Sequence, residues 1–187
     1  MVNRGYGFEY QISWALKHLS EKYDIFYQKL VDTTSLSSTF CPICKKWNKS
    51  NLIIPKSIAD FIVVSDGITI FIETKTTYNK TSFPLANIKD HQRNWGLQID
   101  SFKGHLYYFL IHFKYNKFVY AIRATKLENV VSELKRKSVP IDMFNDDSRF
   151  IKIEKDDSNN WDLEPLLKDF TRPVSLSYDK LPTFRNW

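Results

Sequence analysis

Two short apolar segments near the middle of the chain have the pattern of a β-hairpin. They cover residues 58–64 and 68–73 and are joined through Asp66-Gly67. An Asp-Gly connection between two β-rich segments is a strong hairpin signal, because glycine adopts a positive φ without a Cβ clash. Both segments are apolar at most positions, which is typical of strands that are covered on both faces. The pattern therefore predicts two buried, antiparallel neighbouring strands.

The first of several helical patterns lies at the N-terminus. A helix is predicted to begin near Asn3, a good N-cap residue, and to end near Lys22. Its apolar positions recur at a spacing of three to four and consist of Ile12, Leu16, Leu19 and Tyr23. Glu9 lies three positions before Ile12 and so shares this core-facing stripe. Its carboxylate should either reach the surface or point at a site.

A second helix is predicted to begin at Ser82, with Pro84 in its first turn. Its apolar stripe consists of Leu85, Ile88, Trp95 and Ile99. Gln92 lies between Ile88 and Trp95, at the position that completes the three-to-four spacing of this stripe. An amide inside an apolar stripe needs hydrogen-bond partners, so Gln92 is either a satisfied core residue or one that orients a catalytic water.

The remaining elements complete an α/β pattern. Strands are predicted at 25–31, 106–113, 118–122 and 150–153. One helix is predicted to begin at the capping box Thr125–Glu128, and another is predicted around Leu163 to Phe170. A linker is predicted at 76–81 and an extended tail at 171–187. Helices that alternate with a mainly hairpin-built sheet predict a restriction-endonuclease-like fold, with a mixed central sheet flanked by helices.

Residues 32–54 are polar and are predicted to leave the core as an excursion. Their lysines could contact nucleic acid, or the segment could be a solvated loop. Cys41 and Cys44 form one Cys-Pro-Ile-Cys unit. A four-ligand zinc site needs a second such pair, so a reduced surface turn is the preferred interpretation. Zinc shared across a dimer and a redox pair are the alternatives.

Composition and charge narrow the class of protein. The chain has 187 residues, enough for one domain with a real core, and 43% of them are hydrophobic. The formal net charge of +6 favours a polyanionic partner. No apolar run approaches the roughly 18 residues of a membrane span, and the N-terminus lacks a signal-peptide pattern. We therefore expect a soluble, cytoplasmic protein with no membrane association.

The hairpin register brings candidate chemistry together. If Ser65 pairs with Ile68 across the turn, Asp60 lies opposite Glu73, and alternation places Lys75 on the same face as Glu73. Two carboxylates suit Mg²⁺, which keeps several waters and binds phosphate substrates. A lysine beside them can stabilise negative charge or help to generate hydroxide. These residues favour a metal-dependent phosphodiesterase centre.

The same charges also have an ordinary interpretation. Asp60 could be a solvated turn residue, and Glu73 and Lys75 could be charges at the rim of the sheet, since short motifs often match by chance. Charged groups on doubly covered strands are costly unless they are paired or bind a metal. This cost favours the functional interpretation.

The amino-acid sequence around these residues resembles that of a known family. Asp60 followed by Glu73-Thr74-Lys75 is similar to the PD-(D/E)xK nuclease superfamily. Four further segments resemble one family within this superfamily: Asn3-Arg4-Gly5 with Glu9, Asn79 to Leu85, His91-Gln92, and Arg136 to Pro140. Together they resemble the RecU Holliday-junction resolvases over roughly residues 3–170.

The resemblance implies a homodimeric, Mg²⁺-dependent endonuclease, with Mn²⁺ able to substitute, that nicks four-way DNA junctions in recombination and repair. Branched double-stranded DNA and a recombinase would be its partners. Asp60, Glu73 and Thr74 would lie at the metal, and Lys75 would be the electrostatic catalyst. Gln92 would position water or phosphate, and Glu9 would be an additional acidic group.

Two other functions are weighed against this one. A less selective or sequence-specific endonuclease of the same superfamily would use the same residues. A non-catalytic DNA-binding modulator of recombination could keep the scaffold, although it would gain nothing from carboxylates clustered against phosphates. Cleavage of junctions compared with linear duplex discriminates between the three.

Overall fold

The computed structural model describes residues 6–30, 38–41, 43–49 and 57–168, and within them a six-stranded sheet is flanked by helices on both faces. The helices are α1 (Tyr6–Lys22), α2 (Asp90–Ser101), α3 (Ala124–Leu134), α4 (Ile141–Asp146) and α5 (Glu164–Lys168). The strands are β1 (Phe26–Lys29), β2 (Ser38–Cys41), β3 (Lys46–Lys49), β4 (Phe61–Ser65), β5 (Ile68–Thr77), β6 (Ser82–Pro84), β7 (His105–Phe113), β8 (Phe118–Arg123), β9 (Ser138–Pro140) and β10 (Ile151–Ile153).

The order of the main sheet is β1-β4-β5-β7-β8-β10. Its strands pair antiparallel except for β5 and β7, which run parallel. Parallel neighbours need a crossover, and the chain between β5 and β7 supplies it through α2. The predicted mixed sheet flanked by helices is confirmed.

The central hairpin has the predicted register. Ser65 pairs with Ile68, and Asp66 and Gly67 both have positive φ values, of 46° and 76°. Two successive positive φ values match the twist of antiparallel strands. β4 begins at Phe61 and is shorter than predicted, whereas β5 extends beyond Lys75 to Thr77.

The sheet separates two apolar clusters. One cluster joins α1 and α5 to alternate residues of the strands, among them Phe61, Ile70, Ile72, Tyr108 and Leu110. The other joins α2, α3 and α4 to the intervening residues, among them Tyr107, Phe109 and Ile111. β5 and β7 are therefore covered on both faces, which for β5 is what its apolar pattern predicts.

The prediction of a helix from Ser82 is wrong. Residues 82–84 form β6 and pair with β9, after which a short 3-10 turn leads to α2 at Asp90. Each short strand contains a proline paired with a serine at the end of the ladder. Proline has no N–H to donate, so it is tolerated at such edge positions as well as in a first helical turn. The local sequence therefore could not decide between a short strand and the first turn of a helix.

The buried face of α2 also differs from its predicted apolar stripe. Its buried residues are Gln92, Gly96 and Asp100, while Trp95 and Ile99 are half-buried. Gly96 lies at the closest approach, where an added Cβ would lie 2.9 Å from the Ala124 Cβ. The missing side chain therefore lets α2 pack tightly against the start of α3.

The predicted capping box at the start of α3 is wrong as well. Thr125 donates its main-chain N–H and its hydroxyl to Asp100 of α2, at 3.2 and 2.5 Å. Glu128 instead binds Arg93 through two hydrogen bonds of 2.6 Å. A side chain from a neighbouring helix therefore caps α3, because Asp100 is buried beside its first turn.

Most of the remaining predictions are confirmed, and one position is wrong. β1, the β7–β8 hairpin, β10 and a helix at Glu164–Lys168 confirm their segments, but Tyr23 is 41% exposed and lies outside the core. Part of the polar excursion forms the antiparallel pair β2–β3. The start of the first helix near Asn3, the last turn of the helix predicted to Phe170 and the tail 171–187 lie outside the described residues.

Candidate active site

Glu73 lies in the interior of the sheet, near the middle of β5. This strand lies between β4 and β7, and its Glu73 pairs with Phe109 of β7. Only 4% of Glu73 is exposed. A buried carboxylate is costly unless it is paired. Lys75 pairs with it, since the Lys75 Nζ lies 2.7 Å from the Glu73 Oε1. The predicted shared face of these two residues is confirmed.

Gln92 reaches the same carboxylate from α2. Its Nε2 donates a hydrogen bond of 2.5 Å to the Glu73 Oε1, and its Oε1 accepts the main-chain N–H of Lys89 at 3.1 Å. The second bond decides the orientation of the amide, because only the carbonyl end can accept from an N–H. The amide that interrupts the stripe of α2 is thus satisfied, and it holds the carboxylate in place.

Asp60 lies immediately before β4, where it interrupts the regular ladder. Its main-chain N–H donates to the Ile72 carbonyl at 3.0 Å, and its carbonyl accepts from Leu30 at 2.8 Å. Its Oδ2 accepts both the N–H and the hydroxyl of Thr74, at 2.7 and 2.6 Å. The Asp60 carboxylate therefore accepts the main-chain N–H of Thr74, which a strand carbonyl would otherwise accept. Thr74 is the residue that follows Glu73.

Tyr107 is a neighbour of the site that sequence reasoning missed. It lies on β7 at the level of Phe71, is fully buried, and donates its hydroxyl to the Ile58 carbonyl at 3.0 Å. Burial raises the pKa of this phenol, and the negative charges of Glu73 and Asp60 raise it further. Tyr107 therefore stays protonated and holds the segment before Asp60. Only the parallel pairing of β5 with β7 brings it there.

Glu9 approaches the sheet from the opposite side. Its Oε2 lies 3.0 Å from the Nζ of Lys29, which itself lies over the Phe61 ring on the α1 face. Glu73 binds Gln92 on the α2 face. The structure therefore joins Asp60 to Thr74, and Glu73 to Lys75 and Gln92. The two sets meet at the consecutive residues Glu73 and Thr74 of β5, while Glu9 forms an ion pair with Lys29 of β1.

The donor set can be tested against a divalent cation. Within the described residues, no group of three or more His, Cys, Asp or Glu side chains could hold a metal ion. Two carboxylates with water completing the shell suit Mg²⁺, which binds through few protein ligands, and they do not make a structural zinc site. The residues present therefore fit a divalent cation that is held by few protein ligands. Cys44 is exposed and is not in a disulfide.

Comparison with known proteins decides the family. The model of the family described as "RecU: Recombination protein U" matches residues 3–160, which include every residue of the candidate site. The chain belongs to the RecU family. Its resemblance to these proteins, which rested on short segments, is confirmed over most of its length.

Individual RecU proteins agree with this assignment. "Holliday junction resolvase RecU" of Mycoplasmopsis pulmonis is 34% identical over 102 residues, which are 54% of this chain and 61% of that protein. The protein of the same description from Oceanobacillus iheyensis is 36% identical over 98 residues, 51% of this chain and 50% of that protein. A Staphylococcus aureus protein so described is 37% identical over 89 residues, 46% of this chain and 42% of that protein. The chain thus spans about half the length of these curated RecU relatives.

One further finding concerns membranes. Among the described helices of this RecU family member, none is long and apolar enough to cross a bilayer.

Proposed function

We propose that this chain is a divalent-metal-dependent endodeoxyribonuclease that resolves four-way DNA junctions in recombination and repair. The observation that carries the proposal is the buried Glu73 carboxylate, which one lysine and one amide hold, next in the chain to Thr74, the residue that binds Asp60. A chain that only bound DNA would gain nothing from a negative charge buried near its phosphates. Its membership of the RecU family, whose curated relatives are described as Holliday junction resolvases, supports the junction as substrate.

Asp60, Glu73 and Thr74 would hold the cation through oxygen atoms, and Mg²⁺ is the ion proposed, with Mn²⁺ able to substitute. A bound cation would polarise the scissile phosphodiester and lower the pKa of its water. The protein contributes the orientation of the ligands. Thr74 fixes the Asp60 carboxylate with two hydrogen bonds, and Gln92 fixes that of Glu73.

Lys75 is proposed as the electrostatic catalyst. Its ammonium group has three N–H donors, and its contact with Glu73 leaves it free to interact with a phosphate oxygen as well. Because its side chain is only 13% exposed, this interaction would be screened by little water. Gln92 is proposed to position the carboxylate or a water beside it. Glu9 is proposed as an additional acidic group whose charge Lys29 holds in place.

Resolution of a junction requires two symmetric cuts, so we propose that the active unit is a homodimer with two-fold symmetry. The net charge of +6 would supply affinity for phosphates in general, and that affinity would weaken with salt. Selectivity would then come from the shape of the branched DNA. A recombinase remains the proposed protein partner. Light scattering should give a mass twice that of one chain.

The deciding experiment compares a labelled four-way junction with linear duplex of the same sequence, each incubated with the protein with and without Mg²⁺. Paired nicks in the junction that require the metal, and a preference for the junction at moderate salt, are expected. Cleavage of linear duplex at a defined sequence without that preference would instead favour a restriction-type endonuclease. Binding without cleavage in any divalent metal would favour a non-catalytic modulator.

A further inference from the structure

Two loops meet beyond the end of the strand that carries Glu73 and Lys75. The Lys114 Nζ donates to the Tyr78 hydroxyl at 2.9 Å and lies 4.9 Å from the centre of the Tyr78 ring. The Lys80 Nζ lies 3.9 Å from the centre of the Tyr115 ring. Each loop thus contributes one tyrosine and one lysine, and each lysine lies over the tyrosine of the other loop. We call Tyr78, Lys80, Lys114 and Tyr115 the tyrosine–lysine clamp.

The main chain holds both loops in fixed positions. The buried Thr77 accepts the Lys114 N–H at its carbonyl, at 2.9 Å, and the Asn79 N–H at its hydroxyl, at 3.2 Å. On the far side of the first loop, Ile141 donates to the Thr81 carbonyl at 2.8 Å. The clamp is therefore presented by backbone that is anchored before and after it, which is how a binding site keeps its geometry.

The surface of the clamp is aromatic, exposed and positively charged. Tyr78 is 52% exposed and Tyr115 is 62% exposed. The sequence contains no Asp or Glu at 74–89 or at 101–127, so the two loops have no carboxylate of their own. Rings interleaved with lysines suit nucleic acid, whose bases stack on aromatic faces while its phosphates bind cations.

The clamp also lies close to Lys75, the proposed electrostatic catalyst. Tyr78 follows Lys75 by three residues. At about 3.3 Å per residue of extended chain this places it roughly 10 Å further along, which is about three base steps of one DNA strand at about 3.4 Å each. A strand whose phosphate lies at Lys75 would therefore pass the clamp within a few nucleotides.

From these observations we infer that the clamp receives an unstacked base at the branch point of the DNA substrate. This inference rests on the proposed function and names the feature of the substrate that is recognised. A base inside linear duplex has both faces covered by its neighbours, whereas a branch point exposes a face. A base that stacks on Tyr115 or Tyr78 would displace the ammonium of Lys80 or Lys114 from the ring toward the adjacent phosphate. Recognition of this kind favours branched over linear DNA and reads no sequence.

The test measures binding of the full chain without divalent metal, so that no DNA is cut. The probes are a four-way junction and linear duplex of the same sequence. In the double variant Tyr78→Ala with Tyr115→Ala, the Kd for the junction should rise roughly tenfold or more, because one stacked base contributes about that much. The Kd for linear duplex should change by less than twofold. Tyr78→Phe with Tyr115→Phe keeps the rings and should retain the preference.

The lysines have a different expected signature. Lys80→Ala with Lys114→Ala should weaken binding of the junction and reduce the salt slope of that binding by about two, one for each phosphate contact that a displaced ammonium makes. The opposite end of β7 offers the matched control. Phe102 is 64% exposed and adjoins Lys103, so Phe102→Ala with Lys103→Ala removes the same kinds of group there. This control should leave both Kd values within twofold of the wild type.

An unchanged junction preference in the folded Tyr78→Ala, Tyr115→Ala protein would overturn the inference. If the wild type itself shows no junction preference, the proposed function fails, and the clamp is then tested on a mixed-sequence single strand, whose bases are accessible. Roughly tenfold weaker binding of that strand by the alanine variant would still support the clamp. Equal binding would reject it.

Discussion

Gln92 donates a hydrogen bond to the same Glu73 oxygen that pairs with Lys75. An amide of α2 and an ammonium of β5 therefore hold one buried carboxylate from two directions, and the main-chain N–H of Lys89 fixes which end of the amide faces it. The orientation of Glu73 is thus set by contacts within the protein itself. Preorganisation of this kind is what a metal ligand requires.

The first prediction concerns this contact. Gln92→Met keeps the size of the side chain and removes its hydrogen bonds, so cleavage should fall about 10- to 100-fold, as is typical when a partner of a metal ligand is lost. The Mg²⁺ concentration for half-maximal cleavage should rise. Gln98→Met, at an exposed position of the same helix, is the control. An unchanged metal titration in the Gln92 variant would show that the amide only fills the core.

The second prediction concerns the two carboxylates at the proposed metal. Asp60→Asn and Glu73→Gln should each reduce Mg²⁺-dependent cleavage to background, because an amide is a much weaker ligand for a hard cation. The Kd for DNA, measured by gel shift without metal, should change little, since affinity comes mainly from contacts of Lys and Arg with phosphates. Cleavage by the Glu73 variant at the wild-type rate would mean that the site is assigned wrongly.

The third prediction concerns Glu9. Its ion pair with Lys29 lies on the face of the sheet opposite to Gln92, so its contribution should be smaller than that of Glu73. We expect Glu9→Gln to lower the cleavage rate roughly tenfold, at the low end of the effect of groups that support a metal site. Glu21→Gln, on the exposed end of the same helix, is the matched control. If both variants cut like the wild type, Glu9 has a structural role only.

The fourth prediction concerns stability and the Asp100 network. Its side chain is fully buried, binds Arg123 at 2.7 Å and caps α3 through Thr125. Asp100→Asn leaves the Arg123 charge without its partner, so the free energy of unfolding should fall by about 3 kcal/mol. Urea unfolding at neutral pH measures this change. Asp24→Asn, at an exposed position, should alter it by less than about 0.5 kcal/mol; equal effects of the two would exclude a special role for Asp100.

The fifth prediction concerns His112 and pH. Its Nδ1 is buried without a hydrogen-bond partner among the described residues, and its ring lies 4.6 Å from that of Phe8. Burial lowers its pKa from 6.5 to about 4, with smaller contributions from Lys114 and Lys155. Between these two values the unfolded chain binds a proton that the folded protein excludes, so stability falls as the pH drops from 6.5 toward 4.

The variant His112→Gln removes this titration. Its stability relative to the wild type, measured by thermal unfolding between pH 7.5 and pH 4.5, should improve as the pH falls. Losses from carboxylates elsewhere affect both proteins alike and cancel in the comparison. A constant difference across this range would mean that the imidazole titrates alike in the folded and unfolded states.

The central hairpin was predictable because its signals are local. Asp66 and Gly67 select the turn, the turn sets the register, and the two-residue period of a strand then places Glu73 and Lys75 on one face. Gln92 was predictable for a related reason, since an amide in an apolar helical stripe must face a polar partner. The identity of that partner was not contained in the helix.

Contacts between distant segments were decided only by the tertiary structure. Ser82–Pro84 became a strand because Ser138–Pro140, more than 50 residues later, lies beside it. Thr125 turned to Asp100 because α2 packs against the start of α3. In the same way, the sheet sets Glu9 and Gln92 on opposite faces, although both were predicted to lie on core-facing stripes of their helices. Local sequence determines the conformation that each segment prefers, but hydrogen-bond partners that are far apart in the chain meet only after packing has chosen among several acceptable conformations.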